Sequence, residues 1–258
     1  DANTTANYNT GFGFRTISDN STGTRLSALG AGALKANTTA DDNTAIGYDA
    51  LNANTTGTRN TAIGSGSLDA NTTASDNTAC GYNALTTNTT GTANSGFGKG
   101  ALSDCSTGDH NTALGYNSSN VLTTGESNVS VGSQSMENTT TGLNNTAVGR
   151  QALQNNTTGS RNVSIGTNSL DANTTANHNV AVGDGAAKSN TTGTQNVAVG
   201  SASLDANTTG SNLTAVGYEA LGSNTTGSHN TAVGTSSSAS ITTGNLNVSM
   251  GLSSLGST

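Results

Sequence analysis

The side chains best suited to catalysis or metal binding in this 258-residue chain are three histidines, two cysteines and fifteen carboxylates. His110, His178 and His229 each stand five residues before a glycine that recurs at a fixed interval, and they are 68 and 51 residues apart. In stacked strands those separations become about 19 and 14 Å, too far to share a metal ion or relay a proton. The same corner carries Arg59, Asp76 and Arg161, the composition of a solvated surface. Calcium-binding repeats need regularly stacked Asp ligands. Here Asp69, Asp171 and Asp205 share a phase that most coils fill otherwise. The expectation is no catalytic residue, no cofactor and no metal site, in a chain that is not an enzyme. Cys80 and Cys105 occupy different phases and read as two unrelated free thiols.

Three other sets of residues offer chemistry at regular spacing. Asn-Thr-Thr recurs as a formal glycosylation sequon at Asn37, Asn54, Asn71, Asn88, Asn156, Asn173, Asn190, Asn207 and Asn224. The competing reading is that these asparagines are corner residues whose amides stack in ladders. Threonine is invariant nine residues after the glycine, from Thr22 through Thr243, and a flat rank of threonines is the design expected of an ice-binding face. Finally, the residue after the glycine is aromatic at Phe14, Tyr48, Tyr82, Tyr116 and Tyr218. Exposed rings can stack on sugars, but the column is discontinuous and local packing is the expectation.

The elements that position these residues follow from the period. The motif glycine falls at Gly13, Gly30, Gly47 and onward to Gly251, always 17 residues apart. An interval of that size is too short for a helix pair. Thr, Val and Ile between Gly and Asn favour strands and turns. We therefore expect an all-β fold, a parallel β-solenoid or β-roll of fifteen 17-residue coils forming a single repeat domain over residues 1–258. The residue before the glycine is apolar in every coil, from Phe12 to Met250, and is expected to point inward. The small residue ahead of it (Ala45, Ala62, Gly96, Ser130) would then face outward and permit close approach of neighbouring chains. A second apolar column, Leu34, Leu51, Leu68 and their equivalents, weakens at Ser119, Ala187 and Ser238. The Gly or Ala that follows the invariant Thr, such as Gly57 or Ala74, marks a tight corner of unusual backbone conformation.

Composition limits the partners. Hydrophobic residues make up 31% of the chain and charged residues 9%, so a thick globular core is not expected. The net charge of −7 is spread without a basic run, which argues against nucleic acid. No apolar stretch is long enough to span a bilayer. The first residues, Asp1 to Thr5, show no basic or apolar leader, and Asp1 and Thr258 fall mid-coil without evident capping. Thin solenoids gain by packing on copies of themselves, so we expect a homo-oligomer, a parallel trimer or an end-to-end filament.

Asn60-Thr61-Ala62-Ile63-Gly64 and its near-copies at 43–47, 145–149 and 230–234 resemble the β-roll repeats of trimeric autotransporter adhesin heads. The longer unit over 43–57 looks like repeats of phage tail-fibre and related surface proteins. The resemblance covers the whole chain. It implies a left-handed parallel β-roll, a homotrimer, and a role in attachment at a cell surface or virion, with a host-surface glycan or protein as target. The functional expectation is an extracellular structural or adhesive fibre segment. Its alternatives are a self-assembling, glycosylated filament and an ice-binding solenoid.

Overall fold

The computed structural model describes residues 5–256, so Asp1 and Thr258 lie outside the described residues. The fold is all-β: fifteen strands of three residues, all parallel and 17 residues apart, wind a β-solenoid of about fourteen turns. The chain forms two compact units, Asp1–Ser127 and Asn128–Thr258. The first holds β1 (Thr10–Phe12) to β7 (Thr112–Leu114), paired in chain order. The second holds β8 (Val129–Val131) to β15 (Val248–Met250), likewise in order. Within each unit successive strands pair in register with their equivalents one coil on, as Thr44 with Thr61, Ala45 with Ala62 and Ile46 with Ile63 in the first and Val180 with Val197 in the second.

The strand faces are the reverse of those expected. The small residue points inward: Ala45, Ala62, Ala79 and Ala113 are fully buried in the first unit, and Ala147, Ala181 and Ala198 in the second. The apolar residue before the glycine points outward, so that Ile46, Ile63 and Phe97 are each 39% exposed. Cys80, expected inside, is partly exposed. The reason is room. At Gly96 an added Cβ would already lie 3.2 Å from the Ala101 carbonyl oxygen and 3.5 Å from Leu85 Cδ1. The interior accepts a methyl or hydroxymethyl group beside each leucine and nothing larger.

The leucine column fills the remaining core, with Leu34, Leu51, Leu68, Leu85 and Leu102 fully buried in one unit and Leu153, Leu170, Leu204 and Leu221 in the other. These leucines take a left-handed backbone, as at Leu51 with φ 53°. Such a conformation costs an L-residue about 1–2 kcal/mol. Neighbouring coils offset that cost by hydrogen bonding in both directions. Gly47 N and Asp49 N donate back to Leu29 O and Ala31 O, whereas Leu51 N and Ala53 N donate forward to Ser67 O and Asp69 O. The corner at Gly57 is ordinary in φ. Glycine fits there because an added Cβ would lie 2.1 Å from Ala74 O. The unusual conformation sits instead at the motif glycine (Gly47, φ 144°) and at non-glycine positions such as Asp49 and Arg59.

Two buried asparagine columns tie each coil to the next. Asn43 Oδ1 accepts from Asn60 N at 2.8 Å, while its Nδ2 donates to Gly57 O at 2.8 Å. In the second column Asn54 Nδ2 donates to Asn37 Oδ1 at 3.2 Å and to Gly57 O at 2.9 Å. This column runs from Asn20 to Asn88 in the first unit and from Asn156 to Asn224 in the second. Where Cys105 and Ile241 replace the next asparagine, the Oδ1 atoms of Asn88 and Asn224 are buried without a partner. An unmet buried acceptor of this kind costs about 1–3 kcal/mol.

Candidate functional site

With Ala, Leu and Asn turned inward, chemistry toward a partner falls to four outward columns. The first is the strand face, where the residues three before and one before the motif glycine share one side. In the first unit it reads Thr44/Ile46, Thr61/Ile63, Thr78/Cys80 and Ser95/Phe97. In the second it includes Val163/Ile165, Val180/Val182 and Val197/Val199. Three consecutive coils there present only β-branched hydrocarbon.

The second column is the Thr-Thr pair, whose members divide their labour. The first hydroxyl closes on the next coil, as Thr55 Oγ1 donates to Thr72 O at 3.0 Å and Thr157 Oγ1 to Thr174 O at 3.0 Å. The second is the invariant threonine. It is exposed from Thr22 to Thr243, and its hydroxyl meets no partner among the described residues.

The third column is the charged corner. Arg25 Nε donates to Asp42 Oδ1 at 2.5 Å, and Arg59 Nε to Asp76 Oδ1 at 2.6 Å. The hydrogen bond from each guanidinium holds the carboxyl of Asp42 and of Asp76 below its ordinary value and raises its own arginine. His110, His178 and His229 occupy the same left-handed corner position, at φ near 60°, each exposed. Among the described residues no group of three or more His, Cys, Asp or Glu gathers to hold a metal ion.

The fourth column follows the motif glycine and has a two-coil period that a search by single coils misses. Phe14, Tyr48, Tyr82 and Tyr116 are 34 residues apart, with Ala31, Ser65 and Lys99 between them. The next residue alternates in step: Gly32, Gly66 and Gly100 against Asp49, Asn83 and Asn117. Each long side chain folds onto the glycine one coil earlier. An added Cβ at Gly32 would lie 2.0 Å from Asp49 Oδ1, and one at Gly66 2.4 Å from Asn83 Oδ1. Asn52 Nδ2 pins the arrangement, donating to Asp49 Oδ1 at 2.9 Å and to Gly32 O at 3.1 Å. Between Phe14 and Tyr48 this leaves an open cavity of about 360 Å³, lined also by Arg15, Lys35, Asp49 and Asn52. A hydrogen bond to Asp49 raises the Tyr48 phenol above its ordinary value. Lys99 Nζ lies 6.0 and 5.7 Å from the ring centres of Tyr82 and Tyr116.

The nine sequon asparagines (Asn37, Asn54, Asn71, Asn88, Asn156, Asn173, Asn190, Asn207 and Asn224) lie inside the coil, all fully buried. Their amide nitrogens are donors within the solenoid, as Asn173 Nδ2 is to Asn156 Oδ1 at 2.8 Å and to Ala176 O at 3.2 Å. In the folded chain none of the nine side chains reaches the surface. Both cysteines are free thiols. Burial pushes Cys105 up to about 12, which leaves it without a thiolate at neutral pH. Asp69 and Asp171 are also raised, in each case chiefly by burial. Compared with family models, with curated proteins and with solved structures, the chain yields no match.

Proposed function

We propose that this chain is a structural and adhesive segment of an extracellular fibre, in which copies pack together through the outward face of their strands. The observation that carries the reading is the hydrocarbon on that face, Ile46, Ile63, Phe97 and Leu114 in one unit and Ile165, Val180, Val182, Val197 and Val199 in the other. Burying a side chain of this size is worth about 1.5–3 kcal/mol. An ordered row of them left partly in water is the usual mark of an interaction surface. The small residues do not contribute to such contacts, since they are inside. A parallel trimer places three equivalent faces around one axis and leaves the other columns free for a target.

Light scattering on the purified chain tests this. Trimers are expected, and Ile165→Lys with Val199→Lys should yield monomers of unchanged circular dichroism. Monomeric wild type overturns the reading. One observation favours a second reading, ice binding: the invariant threonines are exposed with unbonded hydroxyls. A monomer showing thermal hysteresis, lost on Thr175→Leu with Thr192→Leu, would establish it.

A further inference from the structure

We propose that the aromatic edge of the first unit binds an extended, linear, 1,4-linked polysaccharide, each ring stacking on one sugar and each intervening coil accepting the next. The inference rests on the adhesive reading and names the chemistry of its target.

The spacing is the first argument. Rings two coils apart lie about 10 Å from one another along the edge, close to the length of two pyranoses in an extended 1,4-linked chain. Rings that served local packing would sit on adjacent coils, about 4.8 Å apart, and cover one another. These skip a coil and stay open, Phe14 at 76% and Tyr48 at 64% exposure.

The gaps are the second argument. Ala31-Gly32 and Ser65-Gly66 keep them shallow, and Gly32 and Gly66 are required there because Asp49 and Asn83 fold over them. The cavity between Phe14 and Tyr48 therefore has an apolar ring at each end and fixed polar groups along its walls. A sugar has the matching surface, with a C–H face for the rings and hydroxyls at its rim that donate to Asp49 and accept from Arg15 or Lys35. Asn52 and Asp49 are already locked by their mutual hydrogen bond, which lowers the entropic cost of capture. Lys99 stands in the third gap and adds a cation there, suited to a uronate.

Other extended polymers fit less well. Single-stranded nucleic acid stacks on aromatic rows but needs a positively charged groove, and this chain carries a net charge of −7. A proline-rich peptide has a similar repeat, yet proline has no N–H to donate to the Asp49 carboxylate.

Affinity electrophoresis of the full chain through gels holding carboxymethyl cellulose, xylan or polygalacturonate tests the proposal, with a proline-rich peptide in a parallel titration. Retardation by at least one polysaccharide is expected. Tyr48→Ala and Tyr82→Ala should each weaken it about three- to tenfold, the scale of one stacking contact. Ser65→Tyr, which fills a gap without touching the core, should abolish it, and Tyr218→Ala in the second unit should leave it unchanged. Circular dichroism confirms that each variant folds. No retardation by any of the three, retardation indifferent to Tyr48 and Tyr82, or binding of the peptide alone would overturn the proposal. Retardation by a monomer would defeat only the fibre reading, and trimers without retardation only this one.

Discussion

In the first unit the column after the motif glycine alternates ring and non-aromatic residue, whereas in the second it runs Ser133, Arg150, Thr167, Asp184, Ser201, Tyr218 without period. The charged corner behaves alike. Arg25, Asp42, Arg59 and Asp76 alternate in sign in the first unit, against Arg161, His178, Gln195 and Asn212 in the second. The cavities differ accordingly: two rings flank that of the first unit, while the second unit has one of about 310 Å³ lined by Asp205 and Glu219 with no ring. The interiors, by contrast, are built from the same columns in both, small residues, leucines and asparagines, with breaks such as Ser119 in one and Ala187 in the other. A residue that bonds its own equivalent one coil away leaves a buried partner unmet wherever it fails to repeat, as at Asn88 and Asn224. An outward residue is released from that rule and can adopt the period of whatever it meets.

The comparison can be broken at three levels. The largest effect belongs to the shared interior. Leu68→Ala and Leu204→Ala should each cost about 2–5 kcal/mol in chemical denaturation, alike in the two units. A marked inequality would show that the interiors are not equivalent. Next comes position within a ladder. Asn190→Ala leaves Asn173 Oδ1 without its donor. Asn88→Ala removes an oxygen that is already unmet while leaving Asn71 Oδ1 unmet in exchange. The mid-ladder change should therefore be worse by about 1–3 kcal/mol. Equal costs would mean the ladder bonds contribute little. The smallest effects distinguish the carboxylates and have opposite signs. Asp76 is lowered by Arg59, so its contribution is present above the ordinary value of 3.8 and is lost as pH falls through the lowered one. Asp171 is raised by burial, so its contribution is complete below 3.8 and is lost as pH rises through the raised value. At pH 7 Asp76→Asn should be less stable than wild type and Asp171→Asn more stable, with both differences shrinking at about pH 3. Denaturation at the two pH values reads this directly.

Much of the architecture was legible in the chain itself. The 17-residue interval fixes parallel strands in register, and the leucine and asparagine columns lie where their regularity suggests. The orientation of the strand was not. Alternation shows that the residues flanking Ala45 share a face, and hydrophobicity alone assigns that face to the core. Size variation was the better guide. The inner column tolerates only Ala, Ser or Gly, because its space is fixed, whereas the outer column ranges from the small thiol of Cys80 to the ring of Phe97 one coil later. The left-handed leucines were illegible too, since only the bonds from both adjacent coils make that conformation tolerable. As for the candidate site, the rings were visible but their gaps looked like defects. Only Asp49 lying over Gly32 shows that ring and gap are built as a pair.

The two-way hydrogen bonding of the coil has a consequence for how such a chain changes length. Because the coils within an unbroken run such as Asn20 to Asn88 give and receive the same bonds, excising or duplicating one 17-residue cassette there leaves the interior chemistry of the others intact. Recombination between repeats is thus structurally silent in the core. On the first unit's edge it is not: removing residues 31–47, for example, brings Phe14 and Tyr48 to adjacent coils and sets Arg25 beside Arg59 at the corner, while removing 34 residues restores both patterns. The inherited quantum of length is one coil for the scaffold and two for the surface it displays.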